Sequence, residues 1–130
     1  MEPRLMNSTM LAFVGDSYYD LKIRGMLCRA GYNKPHRLHQ LATKYVSAVA
    51  QAETLKMLSD SEFLTAEELD VVRRGRNTKV RSIPKNADVQ TYMQSTAFEA
   101  LIGYLYLSEQ LERLDEVVAK CIELKGVDHA

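Results

Sequence analysis

Apolar residues along this chain recur at three- to five-residue steps almost from end to end, the period of helices lying against a core. The first run predicts a helix from about Ser8 to Ala30, with Leu11, Val14, Tyr18, Leu21 and Met26 as its apolar positions. Ser8 or Thr9 can cap its start, and Gly31 suits its stop. A short helix begins at Pro35 and carries Leu38, Leu41 and Ala42. A third spans about Val46 to Leu58, presenting Val49, Ala52, Leu55 and Met57 or Leu58. Thr65-Ala66-Glu67-Glu68 reads as a capping box opening a fourth helix, which carries Leu69, Val71 and Val72 and ends near Gly75. A long helix follows over about Val89 to Leu107, and an amphipathic one over about Leu111 to Leu124. No alternating pattern of useful length predicts a strand, so the fold class is all-α.

Composition agrees with one globular domain. The chain has 130 residues, 46% hydrophobic and 26% charged, and only 3 prolines and 6 glycines break its helical pattern. A single domain over 1–130 is expected, with one irregular basic insertion at about 73–87 and a frayed tail at 126–130. No apolar run reaches the roughly 18 residues of a membrane span, and no signal-type apolar core follows Met1-Glu2-Pro3-Arg4. Cys28 and Cys121 lack metal-binding spacing and read as reduced, buried thiols of a cytoplasmic protein.

Two acids stand in places where acids do not belong. Asp16 follows Leu11-Ala12-Phe13-Val14-Gly15, and Glu99 is enclosed by Thr96-Ala97-Phe98 and Ala100-Leu101-Ile102. A helix apolar on every side is normally buried, and an unpartnered buried carboxylate costs several kcal/mol. One such acid is accounted for by an arginine or by helix-end amides. Two of them, on two long helices, favour a shared divalent cation, because hard cations take oxygen ligands. Gly15 and Gly103, beside them in sequence, allow another backbone or a ligand to approach. Asp20, one turn beyond Asp16, is either a support on the same face or a surface charge.

Net charge is formally zero, yet the signs are segregated. Between Arg73 and Ala87 lie six basic residues (Arg73, Arg74, Arg76, Lys79, Arg81 and Lys85) and no acid, while the remaining eleven face all 17 acids. With Asn77, Thr78, Ser82 and Asn86 interleaved, this stretch suits phosphate contacts. No aromatic side chain interrupts it, so a duplex read through its backbone fits better than stacked single-stranded bases. A solvated or protein-docking loop is the competing reading. His36 and His39 lack a third ligand nearby and read as surface or packing residues. Tyr18, Tyr19, Tyr92, Tyr104 and Tyr106 read as core or interface, and the methionines as core filler.

These segments resemble the ribonuclease III family. Phe13-Val14-Gly15-Asp16-Ser17 is similar to its signature helix, and Phe98-Glu99-Ala100-Leu101-Ile102-Gly103 to its second acidic helix. The resemblance is closest to the compact Mini-III branch, through Arg74-Gly75-Arg76-Asn77, Pro84-Lys85-Asn86, Asp88-Val89-Gln90-Thr91-Tyr92 and Ser95 to Leu101. It implies Mg²⁺ held by Asp16 and Glu99 as catalytic ligands, and an obligate homodimer in which each subunit cuts one strand of double-stranded RNA. Arg74, Arg76, Asn77, Lys79, Lys85 and Asn86 would contact that RNA. The substrate implied is the large-subunit (23S) ribosomal RNA precursor, with assistance by a ribosomal protein left open.

The match departs from the larger enzymes of the family at Ala12, Thr96 and Thr9, where they carry further acids. That removes a four-carboxylate cage and leaves only Asp16 and Glu99 to carry over. It is also the best support for the alternative, a non-catalytic ribonuclease III-like RNA-binding scaffold of the ribosome.

Overall fold

The computed structural model describes residues 1–78 and 88–126. Among the described residues there are six α-helices and no strand. They are α1 (Ser8–Arg29), α2 (Pro35–Val46), α3 (Ala48–Asp60), α4 (Ala66–Arg76), α5 (Val89–Leu107) and α6 (Leu111–Lys125), preceded by a 3-10 turn at Pro3–Leu5. None of them is long and apolar enough to cross a membrane.

Helix boundaries follow local chemistry. Asn7, rather than Ser8 or Thr9, caps α1, its side chain accepting the Met10 amide at 2.9 Å. Helix α1 stops at Gly31, whose φ of +101° is left-handed backbone that a side chain would strain. At α4 the expected capping box is present: Thr65 Oγ1 accepts the Glu68 amide at 3.2 Å, and the Glu68 carboxylate accepts the Thr65 amide at 2.9 Å. Asp88 caps α5 by accepting the Thr91 amide at 3.3 Å.

Helix α5 is the axis of the molecule. Ala100 to Leu105 form an unbroken buried run, because α1, α3, α4 and α6 all pack against α5. Its tightest partner is α1, whose inward row is Leu11, Gly15, Tyr19, Ile23 and Leu27, with Tyr19 edge-on to Phe98 at 4.9 Å between ring centroids. The expected apolar row of α1 is therefore rotated. Val14 and Tyr18 are half-buried, and Leu21 is 67% exposed. The rotation arises because α5 meets α1 along the line through Gly15. On α3 the buried set is Ala50, Gln51, Thr54, Leu55 and Leu58, whereas Val49 is exposed; Leu69 of α4 is exposed as well. The methionines are not uniformly core filler either, since Met1 and Met10 are exposed.

One ion pair, with its glutamate buried and its arginine half-buried, joins α6 to the start of α4. The Arg113 Nε and one terminal nitrogen each donate to Glu68 at 2.8 Å, and that nitrogen also donates to the Phe63 carbonyl at 2.7 Å. The guanidinium lies 4.5 Å from the Phe63 ring centroid. Burial alone would raise the Glu68 carboxyl, but Arg113 and the Thr65 amide outweigh it and hold Glu68 below the usual carboxylate range. Stability from this group is present above the ordinary glutamate pKa and is lost as pH falls through the lowered one. Arg113→Ala should cost about 3 kcal/mol in urea unfolding at pH 7. It should also flatten the fall in stability on the acid side, a difference that vanishes if the pair carries no weight.

Candidate active site

Helices α1 and α5 touch where neither has a side chain. A β-carbon placed on Gly15 would lie 1.8 Å from the Glu99 carbonyl oxygen, and one on Gly103 would lie 1.8 Å from that of Leu11. Only glycine at both positions permits this approach. Asp16 directly follows one glycine, and Glu99 precedes the other by one turn. The crossing therefore brings the two carboxyl groups together, hydrogen-bonded to each other. A second close contact, Gly75 of α4 against the Ala97 backbone, where a β-carbon would come within 2.7 Å of Cα, sets the end of α4 beside the same part of α5.

The pair is less enclosed than the sequence pattern implies. Asp16 is exposed and Glu99 is half-buried. The reason lies in Phe13, its apolar neighbour one turn earlier on α1, which is itself 79% exposed; Leu21, further along the helix, is 67% exposed. Burial pushes the Glu99 carboxyl up to about 9, helped by the Asp16 carboxyl beside it and opposed by a hydrogen bond from Gln51. Near neutral pH the pair thus keeps a proton on Glu99.

Gln51 and Ser95 are the site residues that the sequence pattern did not single out. Gln51 is only 1% exposed, and its Oε1 accepts the Ser95 hydroxyl at 2.7 Å. A glutamine inside Val49-Ala50-Gln51-Ala52 was the available signal, but on an amphipathic helix it looks like a surface position. At the two places where larger family enzymes carry acids, Ala12 is buried and Thr96 donates its hydroxyl to the Tyr92 carbonyl at 3.0 Å.

Other candidates separate from this centre. Asp20 is taken by Arg24 at 3.1 Å, so it is a surface charge. His36 and His39 are exposed, and among the described residues no group of three His, Cys, Asp or Glu is arranged to hold a metal. Both cysteines are free, but only Cys121 is buried, its thiol pushed up to about 12 by burial; Cys28 is exposed because it faces outward on the last turn of α1. Arg74 donates to the Arg4 carbonyl at 3.0 Å and lies 3.5 Å from Asp70, so its guanidinium braces the N-terminus. Arg76 and Asn77 end α4, half-buried and exposed respectively. Lys79, Lys85 and Asn86 lie outside the described residues.

Two carboxyl groups held side by side, with Glu99 disposed to keep its proton, suit a hard divalent cation, which would take the place of that proton. The residues present fit such an ion, with most of its shell left to other oxygens.

A family model described as the ribonuclease III domain matches residues 9–110. A Mini-ribonuclease 3 from Streptococcus pneumoniae (strain ATCC BAA-255 / R6) is 47% identical over 123 residues, which cover 95% of this chain and 96% of the relative. A Mini-ribonuclease 3 from Brevibacillus brevis is 49% identical over 123 residues, covering 95% of this chain and 90% of the relative. The crystal structure of protein FN1578 from Fusobacterium nucleatum is similar with a TM-score of 0.79 at 30% identity, over 94% of this chain and 96% of that one. This chain belongs to the ribonuclease III family, in its Mini-ribonuclease 3 group. It is accordingly a double-strand-specific endoribonuclease, a hydrolase of phosphodiester bonds.

A folded-state pKa above the unfolded one contributes stability below the ordinary glutamate range that fades as pH rises toward the folded value. In metal-free protein, stability should therefore decline between about pH 5 and pH 9 on account of Glu99. Glu99→Gln should remove that decline and be more stable at pH 8 by on the order of 1–2 kcal/mol after allowance for solvent screening. Thermal unfolding of both proteins across that range checks the sign.

Proposed function

We propose that this enzyme holds Mg²⁺ between Asp16 and Glu99 and hydrolyses double-stranded RNA there, maturing the paired ends of a 23S ribosomal RNA precursor. The observation that carries the reading is the carboxyl pair at the glycine crossing, half-open to solvent and hence to a phosphate backbone. A magnesium ion held there would polarise the scissile phosphoryl group and make bound water more acidic. Asp16 offers its carboxylate from the open side. Glu99 must release its proton before both acids can serve as ligands. Among the basic residues, Arg76 is the best placed of the described ones, since Arg73 and Arg74 both face Asp70 at 2.5 and 3.5 Å. Lys79, Lys85, Asn77 and Asn86 complete the proposed RNA contacts from the stretch between α4 and α5.

A homodimer also belongs to this reading. Met10, Phe13, Leu21 and Tyr106 are 44%, 79%, 67% and 43% exposed, an apolar face uncommon on a monomer. A hollow of about 420 Å³, lined by Met6, Thr9, Met10, Phe13, Val14 and Leu107, lies at the foot of Phe13. A projecting ring beside a hollow suits two-fold pairing of one patch with its own copy.

Asp16→Asn should abolish Mg²⁺-dependent cutting of a long RNA duplex, a loss of at least about 10³-fold, while circular dichroism stays that of the wild type. Normal cutting by this variant would remove Asp16 from the site. A transcript carrying the paired precursor ends, compared with an arbitrary duplex, tests the substrate. Phe13→Glu should turn the dimer into monomers in sedimentation velocity at micromolar concentration, whereas an unchanged sedimentation coefficient would place the dimer contact elsewhere.

A further inference from the structure

The acidic pair is unequally supported. Asp16 projects from an exposed position, but Glu99 is reached from α3 by a side chain that no solvent contacts. Gln51 is 1% exposed, and both ends of its amide are engaged. The oxygen accepts the Ser95 hydroxyl at 2.7 Å, which leaves the nitrogen as the end that donates to Glu99. Ser95 lies four residues before Glu99 on α5, so one turn of that helix presents both groups to the same glutamine. A hydroxyl can donate or accept and so suits either end of an amide, whereas an ionised carboxylate only accepts and requires the –NH₂. With its oxygen on the Ser95 hydroxyl at 2.7 Å, Gln51 turns that –NH₂ toward Glu99.

We infer that Gln51, oriented by Ser95, is a positioning residue that holds one Glu99 oxygen so that the other faces Asp16 and a divalent cation. The inference rests on the metal reading of the Asp16–Glu99 pair. Its physical content is that a carboxylate with several accessible rotamers loses entropy when it ligates a metal, and a fixed donor removes that loss in advance. With Ala12 and Thr96 offering no carboxylates, a neutral donor on the existing ligand does part of the work that extra acids would do. Leucine in place of Gln51 keeps a similar volume but removes the amide and with it the Ser95 hydrogen bond, so circular dichroism is needed beside affinity to separate folding from positioning.

The test is binding of Mn²⁺ alone, read from the loss of the free-ion signal in electron paramagnetic resonance, with no RNA present. Gln51→Leu should weaken Mn²⁺ binding by about 10–100-fold, with circular dichroism that stays that of the wild type. Ser95→Ala, which frees the amide to turn, should weaken binding severalfold in the same direction. Wild-type Mn²⁺ affinity in folded Gln51→Leu would overturn the inference and leave the metal site standing. Absence of Mn²⁺ binding by the wild-type protein itself would overturn both. If Gln51→Leu does not keep the wild-type circular dichroism, Ser95→Ala decides, and an unchanged affinity there overturns the inference. A drop in melting temperature without any change in affinity would likewise reduce Gln51 to packing.

Discussion

Helices that meet through ordinary side chains sit roughly 8–10 Å apart, and the groups beside the contact can adjust independently. Where α1 crosses α5 that freedom is gone, because Gly15 rests against the carbonyl of Glu99 and Gly103 against that of Leu11. The contact is backbone on backbone and reciprocal, so neither helix can slide or roll without a clash. Everything near it inherits the register. Asp16 and Glu99 are brought together, Tyr19 meets Phe98 edge-on, and Gly75 brings the end of α4 onto Ala97 from another side. Two acids that would repel each other in water are held together by packing that is indifferent to their charge. The cost of that repulsion falls on overall stability, as it often does at sites built for function.

The molecule contains a second enclosed glutamate, and the comparison shows what decides the fate of each. Glu68 is more buried than Glu99, yet it stays ionised, because Arg113 and the Thr65 amide more than offset desolvation. Glu99 faces Asp16 in place of an arginine, with only Gln51 to favour its charged form, and it retains a proton. Burial disfavours charge at both places. The neighbours differ, and they determine which glutamate holds the structure together and which is left wanting a cation.

Much of this was legible before any coordinates. Helical periodicity, the Thr65 capping box and the stop at Gly31 define the elements, since each is a local matter of dihedrals and hydrogen bonds. Asp16 and Glu99 stand out because acids inside apolar runs require an explanation. The apolar pattern around Asp16 misleads in one respect, however. Apolar residues around it point to burial, whereas Phe13 leaves it open, because a period of 3.6 cannot separate a core stripe from an uncovered one. Gln51 and Ser95 escaped notice for a related reason. A polar residue on an amphipathic helix looks like a solvated one until the partner across the helix pair is known, and that partner lies 44 positions away. The basic stretch has a clear composition, but composition carries no geometry. Arg74, counted there as a phosphate contact, also has a structural partner in the Arg4 carbonyl, which its composition could not show.

Helix α1 has two apolar faces, and this explains why its pattern was hard to read. Leu11, Gly15, Tyr19, Ile23 and Leu27 face α5, while Met10, Phe13 and Leu21 face away. Asp16 stands between these faces. It follows Gly15 of the inner row directly and lies three residues from Phe13, close enough for the two side chains to be neighbours on the helix surface. In the proposed homodimer, burying Phe13 against a second copy would also exclude water from one flank of Asp16. The carboxyl pair would then sit in a less polar setting than in a single chain, which strengthens its attraction for a cation and also its hold on a proton. Assembly would thus act on the metal site through one helix, without any movement of the glycine crossing that holds the acids together.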